Sequence, residues 1–283
     1  MSIPKVVLQR MAKLHPHSAD MLKAFVPLLE AQEALADELP APAMPPLDQG
    51  AFAQGRPWMP VKGGDTAAFL DDAFAAAAPK AIGAAALKGF PQVKEEVRAL
   101  RTLLGKKPEL CRELALLGLE GRHRKVKNWA KKHEQEPDVA VLFAVHLAAA
   151  AAKRVEKAAR DRVLPSWNKE YCPVCGSRPH GSFLRTKEGK RFLQCSLCRK
   201  EWPFSRTTCP ACGQDDPREL AVFFHEDVKY ERAEVCNKCG HYILSVDTRE
   251  LSDDMPPELY LLCMTPLDLV MQEKGHSPVN TGE

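Results

Sequence analysis

The chain has 283 residues, of which 45% are hydrophobic, and its 40 basic and 37 acidic side chains leave a formal net charge of +3. This composition fits one large folded domain or two ordinary ones, and the small net charge excludes any argument from charge for a nucleic-acid or membrane partner. The longest apolar run, Ala140 to Ala152, is shorter than the ~20 residues that span a bilayer. Since the first residues also lack the apolar core of an export signal, we expect a soluble cytoplasmic protein with reduced thiols.

Helical patterns dominate residues 1–164, which we interpret as an all-helical domain. An apolar stripe from Met21 to Leu35 predicts a helix within residues 1–39. Proline, glycine and small residues then dominate residues 40–64, which predicts a connecting segment that does not continue the helix.

Helical spacing resumes at Asp65, a candidate N-cap, and we expect Pro79 to break the helix that follows. Two further helices are predicted over residues 92–104 and 109–119. The longest candidate is residues 138–164, where many alanines allow neighbouring helices to approach closely and a basic end suits the helix dipole.

Short alternating runs replace the helical pattern in residues 165–250. They predict two hairpins, the first from strands at 183–186 and 191–194 and the second from strands at 220–225 and 230–235. Residues 251–283 return to helical spacing between Pro256 and Lys274, and we expect fraying after Gly275. The predicted fold class is therefore α+β, with a helical N-terminal domain, a small metal-binding region and a C-terminal helix.

Eight of the ten cysteines fall into four Cys-x-x-Cys pairs within that small region. Two residues between cysteines let one tight turn aim both sulfurs at a single ion, and thiolate is the ligand that zinc and iron prefer. Disulfides are the alternative, although cysteines at this spacing usually serve redox or metal chemistry. The predicted metal ligands are Cys172, Cys175, Cys195, Cys198, Cys209, Cys212, Cys236 and Cys239.

The predicted hairpins favour two consecutive sites, because each hairpin begins just after one cysteine pair and ends at the next. The modules would then cover about 171–201 and about 206–247. A cross-braced arrangement, in which the first pair joins the third, stays open on spacing alone. Four thiolates close a tetrahedral site, so we expect a structural ion or single-electron transfer rather than hydrolytic metal catalysis.

The sequences around the cysteines resemble one known family. CPVCGSRP, LQCSLCRKEW, SRTTCPACG and AEVCNKCGHY are similar in spacing and flanking residues to the formate dehydrogenase accessory protein FdhE family, from about Tyr171 to Asp247. The tail DLVMQEKGHSPVN resembles the family's C-terminal helix, whereas the family's Asn-Pro-Phe ending is absent. In residues 1–164 the similarity is one of layout only.

The resemblance implies two rubredoxin-like (zinc-ribbon-like) folds. Each would bind one iron ion, which makes two ions per chain, and zinc is the alternative metal. It also implies a non-catalytic maturation factor or chaperone that binds the catalytic subunit of formate dehydrogenase in the cytoplasm. An electron-transfer or thiol oxidoreductase is the alternative function. A zinc-ribbon nucleic-acid binder is disfavoured by the weak charge and by the few aromatic residues among the basic ones.

Overall fold

The computed structural model describes residues 3–62, 64, 66, 69–160, 166–251 and 256–281. The chain divides into two compact units. The first comprises residues 1–3, 23–52 and 58–163, and the second comprises residues 4–22, 53–57 and 164–283. The second unit therefore includes two N-terminal pieces that a boundary near residue 164 does not anticipate.

The helices follow the predicted order closely. The first unit contains most of α2 and α3 and all of α4 to α8, and the second unit contains α1, α9 and α10. Helix α7 was not predicted, and the short helix α3 lies within the proline-rich segment that was predicted as a connecting segment. The bounds are α1 Lys5–Leu14, α2 Ala19–Glu38, α3 Gln49–Ala53, α4 Asp72–Gly89, α5 Lys94–Lys106, α6 Pro108–Leu119, α7 His123–Lys132, α8 Pro137–Arg160, α9 Pro257–Cys263 and α10 Thr265–Glu273.

Helix α4 shows that the prediction of a helix break at Pro79 was wrong. The helix runs unbroken through Pro79, which is buried among alanines of high helix propensity. The expected cap, Asp65, lies outside the described residues. Asp71 caps this helix instead, because its carboxylate accepts a hydrogen bond of 2.8 Å from the Phe74 amide.

The core of the first unit lies around α8, whose residues Ala148 to Ala152 are all buried. Close packing of α6 on this helix requires Gly118, because a Cβ there would overlap the Ala144 carbonyl oxygen. Arg154 is buried on the same helix and donates 2.9 Å to the Asp71 carboxylate. Among the described residues, no helix has the length and apolar character that crossing a membrane requires.

A single mixed sheet of seven strands forms the second unit together with its helices. Six strands follow the order β3-β2-β1-β6-β5-β4, and β7 also pairs with β6. The strands are β1 Pro179–Arg185, β2 Lys190–Cys195, β3 Glu201–Pro203, β4 Leu220–His225, β5 Val228–Cys236, β6 His241–Asp247 and β7 Ser277–Pro278.

Strand β6 joins the two predicted hairpins into this one sheet. It runs parallel to β1, with Gly181 opposite Leu244, and antiparallel to β5, with Val235 opposite Tyr242. The hairpins β1–β2 and β4–β5 match the predictions, but β6 itself was missed. As a result, the two cysteine modules share one continuous backbone hydrogen-bond network.

The chain end does not fray directly after Gly275, which corrects another expectation. Residues Ser277 and Pro278 form β7 beside β6, and Val279 is buried. The Val279 amide donates 3.0 Å to the Tyr242 carbonyl, which continues the pairing. The predicted overall order of a helical part, a small sheet region and C-terminal helices is confirmed.

Candidate metal centres

The first cluster consists of Cys172, Cys175, Cys195 and Cys198, all of which are buried. The Sγ atoms of Cys172 and Cys198 lie 3.5 Å apart. The Cys175 Sγ lies 3.4 Å from that of Cys195 and 3.6 Å from that of Cys198. Four sulfurs therefore converge on one point inside the protein.

Each half of this cluster is positioned by a strand and a tight turn. Cys172 and Cys175 precede β1, whereas Cys195 ends β2 and Cys198 lies in the turn that leads into β3. Pro179 pairs with Cys195 across the hairpin, which brings the two turns to the same end of the sheet.

Backbone amides point at the sulfurs of both turns. The Val174 amide donates 3.4 Å to the Cys172 sulfur, and the amides of Leu197 and Cys198 each donate 3.4 Å to the Cys195 sulfur. Such donors stabilise the negative charge of thiolates around a cation. Two basic residues that are close to these cysteines in sequence pair with carboxylates: Arg185 pairs with Glu201, and Arg191 pairs with Glu234.

The second cluster consists of Cys209, Cys212, Cys236 and Cys239, and it is more open. Cys209 and Cys236 are buried, but Cys212 is exposed and Cys239 is partly exposed. The Sγ atoms of Cys209 and Cys239 lie 3.8 Å apart, and those of Cys212 and Cys236 lie 3.9 Å apart. The Ala211 amide donates 3.4 Å to the Cys209 sulfur, as the Val174 amide does to Cys172 in the first cluster.

Both clusters fit a tetrahedral thiolate-bound ion. Metal–sulfur bonds of about 2.3 Å give a tetrahedron with edges of about 3.8 Å. The sulfurs of each cluster all lie within 4.8 Å of one another. The grouping is the consecutive one rather than the cross-braced one. All ten cysteines are free thiols, so the disulfide alternative does not describe this structure.

The residue after each Cys-x-x-Cys pair has a left-handed backbone conformation. Gly176, Gly213 and Gly240 have φ values of 77°, 72° and 72°. The fourth turn has Arg199 at this place, with φ of 63°. A left-handed conformation is costly for a residue with a Cβ. Arg199 also donates 2.7 Å to Nε2 of His180, so its side chain is engaged beside the first cluster.

Burial and hydrogen bonds between thiols shift the pKa values of three cysteines in the first cluster. It raises the pKa of Cys172 and Cys198 well above the ordinary value. Burial acts in the same direction on Cys175, but hydrogen bonds with the other thiols outweigh it and lower the pKa well below the ordinary value. Cys175 is therefore more disposed to lose its proton than Cys172 and Cys198, and an entering cation would displace the protons that remain.

Histidines close to the cysteines are not members of either four-sulfur cluster. Burial and then the charge of Arg199 lower the pKa of His180 well below the ordinary value, so its ring is neutral. The ring of His241 lies with Nδ1 3.0 Å from the Cys239 carbonyl oxygen rather than near a sulfur. Cys111 and Cys263 lie outside both clusters and are buried, and burial raises the pKa of each to about 12.

The structure thus defines a class of protein, one with a helical unit and a sheet unit that has two closed four-cysteine centres. The family model described as "FdhE, central domain" matches residues 171–206, which include the whole first cluster. The chain is 40% identical over 113 residues to a "Protein FdhE homolog" of Aquifex aeolicus, covering 38% of this chain and 39% of that protein. It is 30% identical over 198 residues to one of Shewanella sp. (strain MR-4), covering 66% of this chain and 59% of that protein.

A solved structure agrees in fold over almost the whole chain. The crystal structure of the FdhE protein from Pseudomonas aeruginosa superposes with a TM-score of 0.67 at 24% identity, covering 97% of this chain and 92% of that one. The predicted resemblance to the FdhE family is thereby confirmed. The chain's matches to the curated relatives from Aquifex and Shewanella span about two fifths and three fifths of their length.

Proposed function

We propose that this protein is a non-catalytic maturation factor for formate dehydrogenase and that it binds the catalytic subunit of that enzyme in the cytoplasm. The observation that carries this proposal is the closed geometry of the two clusters. Four sulfurs at each centre would complete the coordination sphere of a tetrahedral ion, which leaves no coordination position for a substrate. The resemblance to the FdhE family supplies the client, since it is a resemblance to accessory proteins of formate dehydrogenase.

The eight clustered cysteines are the proposed ligands, with one ion in each cluster. Iron is the proposed metal and zinc is the alternative, since both accept four thiolates in this arrangement. A bound ion would hold the turns before β1 and after β2 together, and likewise those that flank β4 and β5. On this proposal, the ions keep the sheet unit folded and present a fixed binding surface to the client.

Co-purification from the native cytoplasm tests this function directly. The tagged chain is isolated without oxygen, and the retained proteins are identified by mass spectrometry, with a tagged unrelated protein as control. We expect the catalytic subunit of formate dehydrogenase in the first sample alone. Repeated absence of this subunit, together with normal formate dehydrogenase activity in cells that lack the chain, would refute the proposal.

Electron transfer is a second candidate, which the exposure of Cys212 favours. A ligand sulfur at the surface would bring a redox-active ion within reach of a partner, whereas the first cluster is buried. Ferric tetrathiolate absorbs visible light and bleaches on reduction, while zinc in the same cage is redox-silent. A colourless protein with two zinc ions would eliminate this candidate.

A further inference from the structure

Strand β4 exposes an apolar surface at the end of the sheet. Val222 and Phe224, on one face of this strand, are 49% and 46% exposed. The opposite face is different, because Phe223 contacts the ring of His276 and the Lys274 ammonium, the latter at 5.9 Å from the ring centre. Since β4 ends the strand order among the described strands, its outer edge also has no neighbouring strand there.

Guanidinium groups lie along this same exposed face. A cavity of about 110 Å³ has Leu220 and Val222 on one side and Arg191, Arg206 and Arg232 around the rest. The cavity extends the apolar surface of β4 toward the loop that joins the two cysteine modules. Apolar and cationic groups therefore share one continuous groove.

The carboxylates beside this groove do not balance its cations. Glu234 pairs with Arg191 at 2.8 Å. Asp247 is shared by two guanidinium groups, those of Arg232 at 3.2 Å and Arg249 at 2.6 Å. These two carboxylates face four arginines when Arg206 is included, so the groove has an excess of positive charge.

Arg206 is the cation that none of these carboxylates neutralises. Its side chain is exposed, and it has no ion pair or hydrogen bond within the described part of the chain. The guanidinium groups of Arg206 and Arg249 nevertheless meet beside Gly189. A Cβ on Gly189 would lie 3.2 Å from Nη1 of Arg206 and 3.0 Å from Nη1 of Arg249. Like charges that converge in this way favour an anionic group from outside.

We propose that the groove formed by Arg206, Leu220, Val222, Phe224 and Arg232 binds an extended acidic segment of the client polypeptide. This inference rests on the proposed function, since it takes the catalytic subunit of formate dehydrogenase as the client. An extended segment matches an open strand edge, where it can pair with β4 and direct alternate side chains onto Val222 and Phe224. A carboxylate on the same segment would then pair with Arg206.

The test measures the binding of the purified catalytic subunit to the metal-loaded chain and to three of its variants. Arg206→Glu reverses the unpaired charge, and Val222→Asp with Phe224→Asp removes the apolar surface. The matched control combines Arg98→Glu and Val145→Asp, which change exposed residues on α5 and α8. Metal content and circular dichroism of all variants confirm that each is folded.

We expect Arg206→Glu and the Val222/Phe224 double variant each to weaken binding about tenfold or more, and the control to bind like the original chain. The Arg206→Glu effect should shrink as salt is added, because it is electrostatic. Equal binding by all variants would overturn this surface while leaving the proposed function intact. No binding by the original chain would overturn the proposed function, and this assignment of the client with it.

Discussion

The two cysteine clusters use the same local chemistry in different surroundings. Every sulfur of the first is buried, and its hairpin pairs directly with the central strand β6. The hairpin of the second also pairs with β6, but its other strand, β4, ends the strand order, and Cys212 is exposed. One motif can therefore serve as part of a folding core in one place and remain accessible to solvent in another.

Removing the first cluster should have the largest effect. Replacing Cys172 and Cys175 together by alanine removes two of the proposed ligands of a buried site, and binding energy at such a site is largely folding energy. We expect the loss of one ion per chain and a fall of more than about 4 kcal/mol in the free energy of unfolding. Elemental analysis and denaturant unfolding measure both quantities.

The same pair of substitutions at Cys209 and Cys212 is the matched comparison. We expect it also to remove one ion, but with a smaller loss of stability because this cluster is partly exposed. Equal losses at both sites would contradict the distinction drawn between the clusters.

Arg191 connects the first hairpin to the second module, and its loss should rank next. Its buried side chain donates 2.9 Å to Ser182 and 3.1 Å to the Thr208 carbonyl, and pairs with Glu234 on β5. Arg191→Met leaves Glu234 without its cation, and we expect a cost of about 3–5 kcal/mol.

A double variant separates the two contributions at this pair. Glu234→Gln added to Arg191→Met should recover part of the lost stability, since the unpaired carboxylate is gone. Thermal unfolding of the two variants side by side gives the difference. No recovery would show that Arg191 acts through its other hydrogen bonds, to Ser182, Ser205 and Thr208.

Metal removal should distinguish the clusters by rate. A chelator reaches the exposed Cys212 edge of the second cluster without opening the sheet, whereas the first requires local unfolding. We expect two phases of metal release, with release from the second cluster about tenfold or more faster than release from the first. Iodoacetamide added during release should label Cys212 before Cys172, as peptide mass spectrometry will show. A single phase would contradict the difference in access.

The smallest predicted effects concern the turns. Gly240→Ala places a Cβ at φ of 72° in open space, so we expect only the conformational cost of about 1 kcal/mol. Gly176→Ala has a similar conformational cost, and its Cβ would also lie 3.1 Å from Cγ of Pro57. We therefore expect it to lower the free energy of unfolding by more than Gly240→Ala does. Unfolding midpoints of the two variants provide the comparison, and the reverse order would be inconsistent with the structure.

The sequence was most informative where local patterns decide the structure. Cysteine spacing with the flanking hairpins predicted the consecutive grouping of the eight sulfurs, and apolar periodicity predicted most helices. Strand β6, His241–Asp247, was missed because it lies in the middle of the sheet. It is buried over most of its length, so its sequence shows no alternation of polar and apolar residues. The docking of residues 4–22 in the second unit depends on distant contacts, such as Ser18 with the Cys263 carbonyl at 3.3 Å.

Local rules were also overridden by tertiary packing. Pro79 ends no helix, because its ring is buried in an alanine-rich helix that neighbouring helices hold in place. Arg199 takes a conformation that three glycines take elsewhere, and nothing in its residue type predicts this. The exposure that distinguishes Cys212 from Cys175 likewise depends on the whole sheet rather than on the pairs themselves.

The central claim is that each chain has two closed metal centres with sulfur ligands only. Elemental analysis of protein purified without oxygen, combined with X-ray absorption at the metal edge, tests it most directly. We predict two ions per chain, each with about four sulfur neighbours at about 2.3 Å. One ion per chain, or nitrogen and oxygen neighbours in place of sulfur, would contradict the account.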